Sequence, residues 1–162
     1  MFRSILVALD DSAASVAALD QAIDLARAEG ARLTLISVAA PPRWRPAGPF
    51  VPPYPTDAQL EVEAREILDR AEERVPDGVA VATVYRSGLA AKEILKRAEC
   101  ACHDLIVMGS RGLGPAASLV LGSVSRAVVA QSKIPVLIAR APAVILADTG
   151  TDGAAEREVS VR

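Results

Sequence analysis

The chain of 162 residues has few aromatic residues, two cysteines and one histidine. Only 3% of its residues are aromatic, so small aliphatic side chains must build most of any core. The two cysteines, Cys100 and Cys102, are one residue apart, which excludes a disulfide framework and favours a reducing compartment. Apolar stretches are interrupted before they reach the roughly 18 residues that suggest a spanning helix. We therefore expect a cytoplasmic protein without a membrane segment.

The sequence also lacks an excess of either charge. The chain has 18 lysines and arginines and 20 acidic residues, which gives a formal net charge of −2. Nucleic-acid binding would need a clustered basic face, so we expect no nucleic-acid partner. A strand-like run begins within the first residues, and we expect no signal peptide. The length suits one domain with a single substantial core.

Strand-like and helix-like segments alternate along residues 1–140. Short, almost continuous apolar runs are typical of strands buried in a parallel sheet. In the first helix, the spacing predicts that Val16, Leu19 and Ile23 share the buried face, with Ser12 or Asp11 as N-cap and Gly30 as C-cap. Five strands (Ile5–Leu9, Leu33–Val38, Val79–Tyr85, Leu105–Met108, Pro135–Ala139) and four helices (12–30, 57–75, 89–102, 122–132) are predicted. This order predicts an open α/β sheet with helices on both faces, whose ligand lies beyond the carboxyl ends of the strands.

Two segments do not fit the alternation. Residues 41–56 are a proline-rich insertion, and residues 41–55 hold seven of the 11 prolines and three aromatic residues. Such proline density blocks a helix and a central strand alike. We predict either a surface loop packed by its own aromatics or a surface that waits for a protein partner. Residues 141–162 are predicted to be a mobile C-terminal tail, which leaves residues 1–140 as the domain.

The glycine-bearing connection after the fourth strand carries the clearest chemical pattern. Gly109, Gly112 and the segment Gly122–Ser125 follow the spacing G-x2-G-x9-G-S. Gly109 and Gly112 have no side chains, which leaves room for a ligand beside the backbone. Gly122 precedes a helix whose first N–H groups and dipole attract an anion. Serine hydroxyls and the charges of Arg111 and Arg126 lie nearby in the sequence. The pattern predicts a cradle for nucleotide phosphates, although no Walker sequence is present.

These features resemble the universal stress protein family, in its nucleotide-binding subgroup. The resemblance covers residues 1–140, and it includes Asp10-x-Ser12, the glycine–serine spacing and the closing segment Pro135–Ile138. It implies a flavodoxin-like three-layer sandwich with a five-stranded parallel sheet of order 3-2-1-4-5. It also implies a homodimer through strand five, Pro135–Ala139, and ATP at the switch point.

The resemblance further implies which residues contact ATP. Ala8, Leu9 and Asp10 would line the adenosine side, and the Val38 backbone would meet the adenine edge. Apart from the resemblance, Asp10 and Asp11 would repel the phosphates of ATP, so we expect Mg²⁺ to bridge the phosphate oxygens and to reach Asp10 directly or through water. The ribose and phosphates would be flanked by Met108, Gly109, Arg111 and Gly112, and the phosphates held by Gly122, Ser123, Val124 and Ser125.

Simpler explanations exist for several of these residues. Asp10 and Asp11 also suit a cap of the first helix, and Asp11 adds negative charge near the expected ligand. Gly109 and Gly112 also suit turns that hold no ligand. The joint pattern favours the ligand, because all of these residues follow the strands that border the switch point.

The neighbouring cysteines and histidine invite a metal-site hypothesis. Cys102, however, is predicted on the buried face of its helix, and no second group of ligands stands out elsewhere. Redox sensing by an exposed Cys100 is a further hypothesis. His103 precedes the fourth strand, away from the expected ligand face, and no base–nucleophile pair stands out near the phosphates.

The leading hypothesis is therefore an ATP-binding regulatory protein of stress adaptation, with at most slow ATP hydrolysis. A phospho-receiver domain would need an acceptor aspartate after strand three, where the chain has Tyr85–Gly88 instead. The alternative that stays open is a ligand-free dimeric interaction or signalling module. Such a module would work by dimer exchange and through the proline-rich insertion.

Overall fold

A computed structural model describes residues 1–39, 55–110 and 121–141. Five strands and four helices alternate along these residues, close to the predicted segments. Predictions that concern residues 41–54, Arg111, Gly112 and residues 142–162 lie outside the described residues. The elements are β1 (Ser4–Leu9), α1 (Ala13–Glu29), β2 (Arg32–Ala39), α2 (Asp57–Glu73), β3 (Val81–Ser87), α3 (Ala90–Cys100), β4 (Leu105–Gly109), α4 (Ser123–Gln131) and β5 (Val136–Ala139).

The five strands form one parallel sheet in the order β3-β2-β1-β4-β5, which confirms the predicted order. β1 lies in the centre, where Ala8 pairs with Ile36 of β2 and with Met108 of β4. The chain leaves β1 toward β2 and later returns to place β4 on the other side. This reversal creates the switch point at the carboxyl ends of β1 and β4.

Small side chains let α1 approach the sheet closely. Ala18, Ala22 and Ala26 are at most 1% exposed, and they continue the stripe that contains Leu19 and Ile23. Val16, which the spacing placed on this face, is instead 40% exposed, so that prediction was wrong. The helix rotates its alanines toward the sheet because they permit a shorter distance between backbones than a branched side chain does.

The core has two layers, one on each face of the sheet. On one face, α1 and α2 pack through residues such as Leu19 and Leu68. On the other face, α3 and α4 pack through Ile94 and Val128. None of the helices in the described ranges is long and apolar enough to cross a membrane.

The ends of the helices follow local chemistry. Ser12 is the N-cap of α1, since its side chain accepts a hydrogen bond from the Ser15 N–H, and Gly30 ends the helix with a left-handed φ of +67°. Both caps were predicted. α3 ends at Cys100, and Cys102 adopts a φ of 49°. Because this conformation breaks the helical period, Cys102 is exposed, and the prediction that it lies on the buried face was wrong.

Candidate functional site

The sheet brings the ends of three neighbouring strands together at its carboxyl edge. Ala8 of β1 pairs with Met108 of β4, so Leu9 and Gly109 each lie one residue further along. Leu9 also pairs with Ser37 of β2, and the next residue of that strand is the half-buried Val38. The same edge of the sheet therefore carries Ala8, Leu9, Asp10, Val38, Met108 and Gly109. The contacts with ATP that the family resemblance implies for these residues stay a prediction.

Asp10 is tied to the start of α1 through one of its carboxylate oxygens. Its Oδ1 accepts hydrogen bonds from the Ser12 N–H, at 3.2 Å, and from the Ser12 hydroxyl, at 2.5 Å. Its backbone carbonyl accepts a bond from the Ser15 hydroxyl at 2.8 Å. Within the described residues, Oδ2 of Asp10 makes no hydrogen bond. The residue thus stabilises the turn into α1 and keeps one oxygen for solvent, a ligand or a metal ion.

Gly109 has a packing role that needs no ligand. A Cβ atom at this position would lie 2.8 Å from the carbonyl carbon of Ala14 and 2.9 Å from the backbone N of Ser15. Both are backbone atoms, which cannot move aside as a flexible side chain can. The first glycine of the spacing therefore lets the start of α1 approach the end of β4.

The start of α4 is joined to the end of β4 by two hydrogen bonds. The buried Ser125 donates its hydroxyl to the Gly109 carbonyl at 2.8 Å, and the Gly122 N–H donates to the Ser110 carbonyl at 2.8 Å. A hydroxyl has one hydrogen, so Ser125 has used its donor. These bonds fix where α4 begins relative to the end of β4.

The first turn of α4 presents donors without a competing carboxylate. Gly122 is the N-cap and makes no side-chain capping bond, and the first turn contains no acidic residue. In the part of the chain that the structure describes, no side chain caps the N–H groups of Ser123 and Val124, and Ser123 is exposed. This local arrangement favours an anion.

An arginine from a distant helix changes the charge at the site. The Arg70 guanidinium of α2 lies 2.9 Å from Oδ1 of Asp11, and both side chains are exposed. The pair offsets the negative charge that Asp11 was expected to add. Sequence analysis missed Arg70, because 59 residues separate it from Asp11 and no local pattern links them. It also missed Ser15, whose hydroxyl holds the Asp10 backbone.

His103 lies at the opposite, amino edge of the sheet, away from Asp10. Arg32 donates its Nε–H to the Ser4 hydroxyl at 3.0 Å, and Ser4 lies 2.9 Å from Nδ1 of His103. Because arginine only donates, Ser4 is free to donate its own hydrogen to Nδ1, which suits a neutral imidazole. Burial, with the charges of Arg97 and Arg32, lowers the pKa of His103.

The sheet order, with helices on both faces, defines a flavodoxin-like α/β protein. Within this class, residues 1–140 match the universal stress protein family, and the chain belongs to that family. It is 36% identical over 148 residues to the universal stress protein YxiE of Bacillus subtilis, covering 86% of this chain and 100% of the relative. It is 38% identical over 146 residues to a universal stress protein of Thermus aquaticus, with coverages of 86% and 100%.

A solved structure supports the same relationship. A universal stress protein in complex with cAMP superposes with a TM-score of 0.65 at 26% identity. The match covers 86% of this chain and 98% of that chain. The family and the fold that the resemblance implied are thus confirmed, while the nucleotide-binding subgroup stays a prediction.

Proposed function

We propose that this protein binds ATP with Mg²⁺ at the carboxyl ends of β1, β2 and β4 and acts as a regulatory protein of stress adaptation. One observation carries the proposal: the Ser125–Gly109 bond holds the start of α4, which has no side-chain cap among the described residues, beside the end of β4. The neighbouring strand is β1, whose last residue, Leu9, is followed by Asp10. A nucleotide needs an anion site and a flat adenosine site side by side. The family membership and the cAMP complex of a related protein support this choice of ligand.

The phosphates are assigned to the first turn of α4. The N–H groups of Ser123 and Val124 and the Ser123 hydroxyl are the donors, while Gly122 allows close approach. Ser125 acts through Gly109 as a positioning residue, because its hydroxyl hydrogen is already donated. By resemblance, Arg111 and Gly112 flank the ribose and phosphates.

The adenosine is assigned to the strand ends. Ala8, Leu9 and Met108 line it with small or flexible apolar groups, and the Val38 backbone offers polar atoms to the adenine edge. Asp10 uses its Oδ2 atom, either for a ribose hydroxyl or for Mg²⁺ bound to the phosphates. Carboxylate oxygens are ligands that Mg²⁺ prefers, and the metal offsets repulsion between Asp10 and ATP.

The first experiment measures nucleotide that copurifies with the protein. We expect chromatography of the denatured protein to release adenine nucleotide, and calorimetry of stripped protein to show ATP binding. Gly122→Val places a branched side chain at the phosphates, and we expect at least a tenfold loss of affinity, about 1.4 kcal/mol. Ala130→Val adds a similar side chain to the exposed side of the same helix and should bind ATP normally. Absence of ATP binding by the parent would overturn the proposal.

Asp10→Asn distinguishes the possible roles of this carboxylate. ATP is titrated into parent and variant, with Mg²⁺ and with a chelator. Loss of most of the Mg²⁺ enhancement assigns Asp10 to the metal. An affinity that falls equally with and without Mg²⁺ assigns it to the adenosine. Unchanged binding under both conditions would show that Asp10 is only a helix cap and would remove it from the site.

We further propose a cytoplasmic homodimer that forms through strand five, Pro135–Ala139. Val136, Leu137 and Ile138 are only half-buried in the single chain, and β5 is an edge of the sheet. An apolar edge strand promotes association unless it is covered. The alternative function, a ligand-free dimeric interaction or signalling module, retains this dimer. It predicts no nucleotide in the denatured extract and no binding of ATP.

A further inference from the structure

The amino edge of the sheet, opposite the candidate nucleotide site, carries an open groove of about 510 Å³. Arg3, Arg27 and Arg32 line it, together with the turn of residues 77–80 before β3. Two lining glycines, Gly30 and Gly78, have positive φ angles, and a Cβ at either one would meet no atom within 4 Å. The glycines therefore leave the groove open to a ligand of moderate size.

The groove has an excess of positive charge. Its lining contains three arginines and one acidic residue, Asp77. The ion pairs of the described part of the chain involve other cations, from the N-terminal amine to Lys133. Nearby acids accept backbone hydrogen bonds instead: Asp104 accepts from the Arg3 N–H at 2.8 Å, and Glu29 accepts from the Phe2 N–H at 3.2 Å. Within the described residues, these three arginines thus form no ion pair, and their side chains are exposed.

Hydrogen bonds hold the backbone of Arg3 and Arg32, and the side chain of Arg32, in place before any ligand arrives. The Arg32 N–H donates to the Arg3 carbonyl at 3.0 Å, and the Leu33 N–H donates to the Ala80 carbonyl at 2.8 Å. The Nε atom of Arg32 donates to the Ser4 hydroxyl at 3.0 Å. This bond restrains the side chain and leaves its terminal nitrogens available. A restrained guanidinium loses less conformational entropy when it binds an anion.

We propose that this groove binds a small phosphate-bearing molecule, at a site separate from the nucleotide site. Guanidinium groups bind phosphate oxygens through paired, charge-assisted hydrogen bonds, and three of them line one groove here. The volume lies in the range of small-molecule sites. Burial lowers the pKa of the nearby His103, and the charges of Arg97 and of the groove residue Arg32 lower it further.

The test uses inorganic pyrophosphate as the probe, titrated into the full chain by calorimetry. We expect saturable binding that weakens with added salt. Arg27→Gln and Arg3→Gln should each weaken it about tenfold, as expected for the loss of a charged hydrogen bond. Asp77→Asn removes the only acidic group of the lining and should strengthen binding. Arg65→Gln makes the same charge change on an exposed part of α2 and should leave the affinity unchanged.

Three results would overturn the proposal. If Arg65→Gln weakens pyrophosphate binding as much as Arg27→Gln does, the binding responds only to the net charge of the protein. Binding that is lost in Gly122→Val but retained in Arg27→Gln would place pyrophosphate at the nucleotide site. If the parent protein does not bind pyrophosphate but binds an acidic peptide, the groove is assigned to a protein partner instead. Thermal unfolding of each variant confirms that the fold is intact, so a loss of binding is not a loss of structure.

Discussion

The hydroxyl of Ser125 donates a 2.8 Å hydrogen bond to the carbonyl oxygen of Gly109, inside the protein and 16 residues away in the chain. Gly109 also contacts the start of α1, where its missing side chain leaves room for Ala14 and Ser15. Gly109 thus joins the end of β4 to the starts of α1 and α4. Gly109 and Ser125, which belong to the glycine–serine spacing and the serines that follow it, thus have structural roles in addition to any contact with a ligand.

Removal of this hydrogen bond should destabilise the protein. Ser125→Ala leaves the Gly109 carbonyl without its side-chain donor in a buried position, so we expect the free energy of unfolding to fall by about 1–3 kcal/mol. Urea denaturation measures this change. Ser123→Ala, at an exposed position two residues earlier, should change stability by no more than about 0.5 kcal/mol. Equal losses in both variants would contradict the role of the buried bond.

The Arg70–Asp11 pair should influence nucleotide affinity more than stability. Both side chains are exposed, and such pairs contribute little to folding. Arg70→Gln leaves the Asp11 charge unpaired near the proposed phosphates, so we expect a loss of ATP affinity of about two- to fivefold at low salt. Titration at two salt concentrations checks this effect.

The double variant Arg70→Gln/Asp11→Asn provides the control. It removes both charges, and we expect it to regain most of the parental affinity. A double variant as weak as Arg70→Gln alone would show that Arg70 acts in some other way than by offsetting Asp11.

His103 should make stability depend on pH. Its pKa is lowered in the folded protein by burial, Arg97 and Arg32, while the unfolded chain titrates near 6.5. The unfolded state therefore binds more protons below that pH. The stability contributed by neutral His103 is complete above about pH 6.5 and is lost as the pH falls toward the lower folded pKa.

His103→Asn isolates this effect because asparagine keeps an acceptor for the Ser4 hydroxyl but does not titrate. Urea denaturation between about pH 7.5 and about pH 5 should show a steeper loss of stability in the parent than in the variant. Parallel curves for the two proteins would show that His103 does not set the pH dependence.

The β5 edge should make the protein a symmetric dimer. Mutual pairing of two β5 strands covers the apolar edge with a second copy of the same surface. Light scattering at tens of micromolar, on the order of weak-dimer affinities, should give twice the chain mass. A monomeric mass at that concentration would contradict both the dimer and the covered edge.

Local patterns in the sequence determined the elements and their order. Continuous apolar runs predicted β1 and β4, whose residues are all buried, and Ser12 and Gly30 marked the ends of α1. Alternation of strands and helices predicted a parallel sheet, and the family resemblance supplied the order 3-2-1-4-5. The elements and the caps of α1 depend on neighbours a few residues apart, which is why the sequence shows them.

Only the tertiary structure decided what depends on distance in space. It turned the alanines of α1 toward the sheet and left Val16 exposed, because backbone separation outweighs the hydrophobicity of one side chain. It paired Arg70 with Asp11, joined Ser125 to Gly109 and gathered three arginines at one groove. Each of these contacts joins segments far apart in the chain, and no local periodicity encodes which segments will meet.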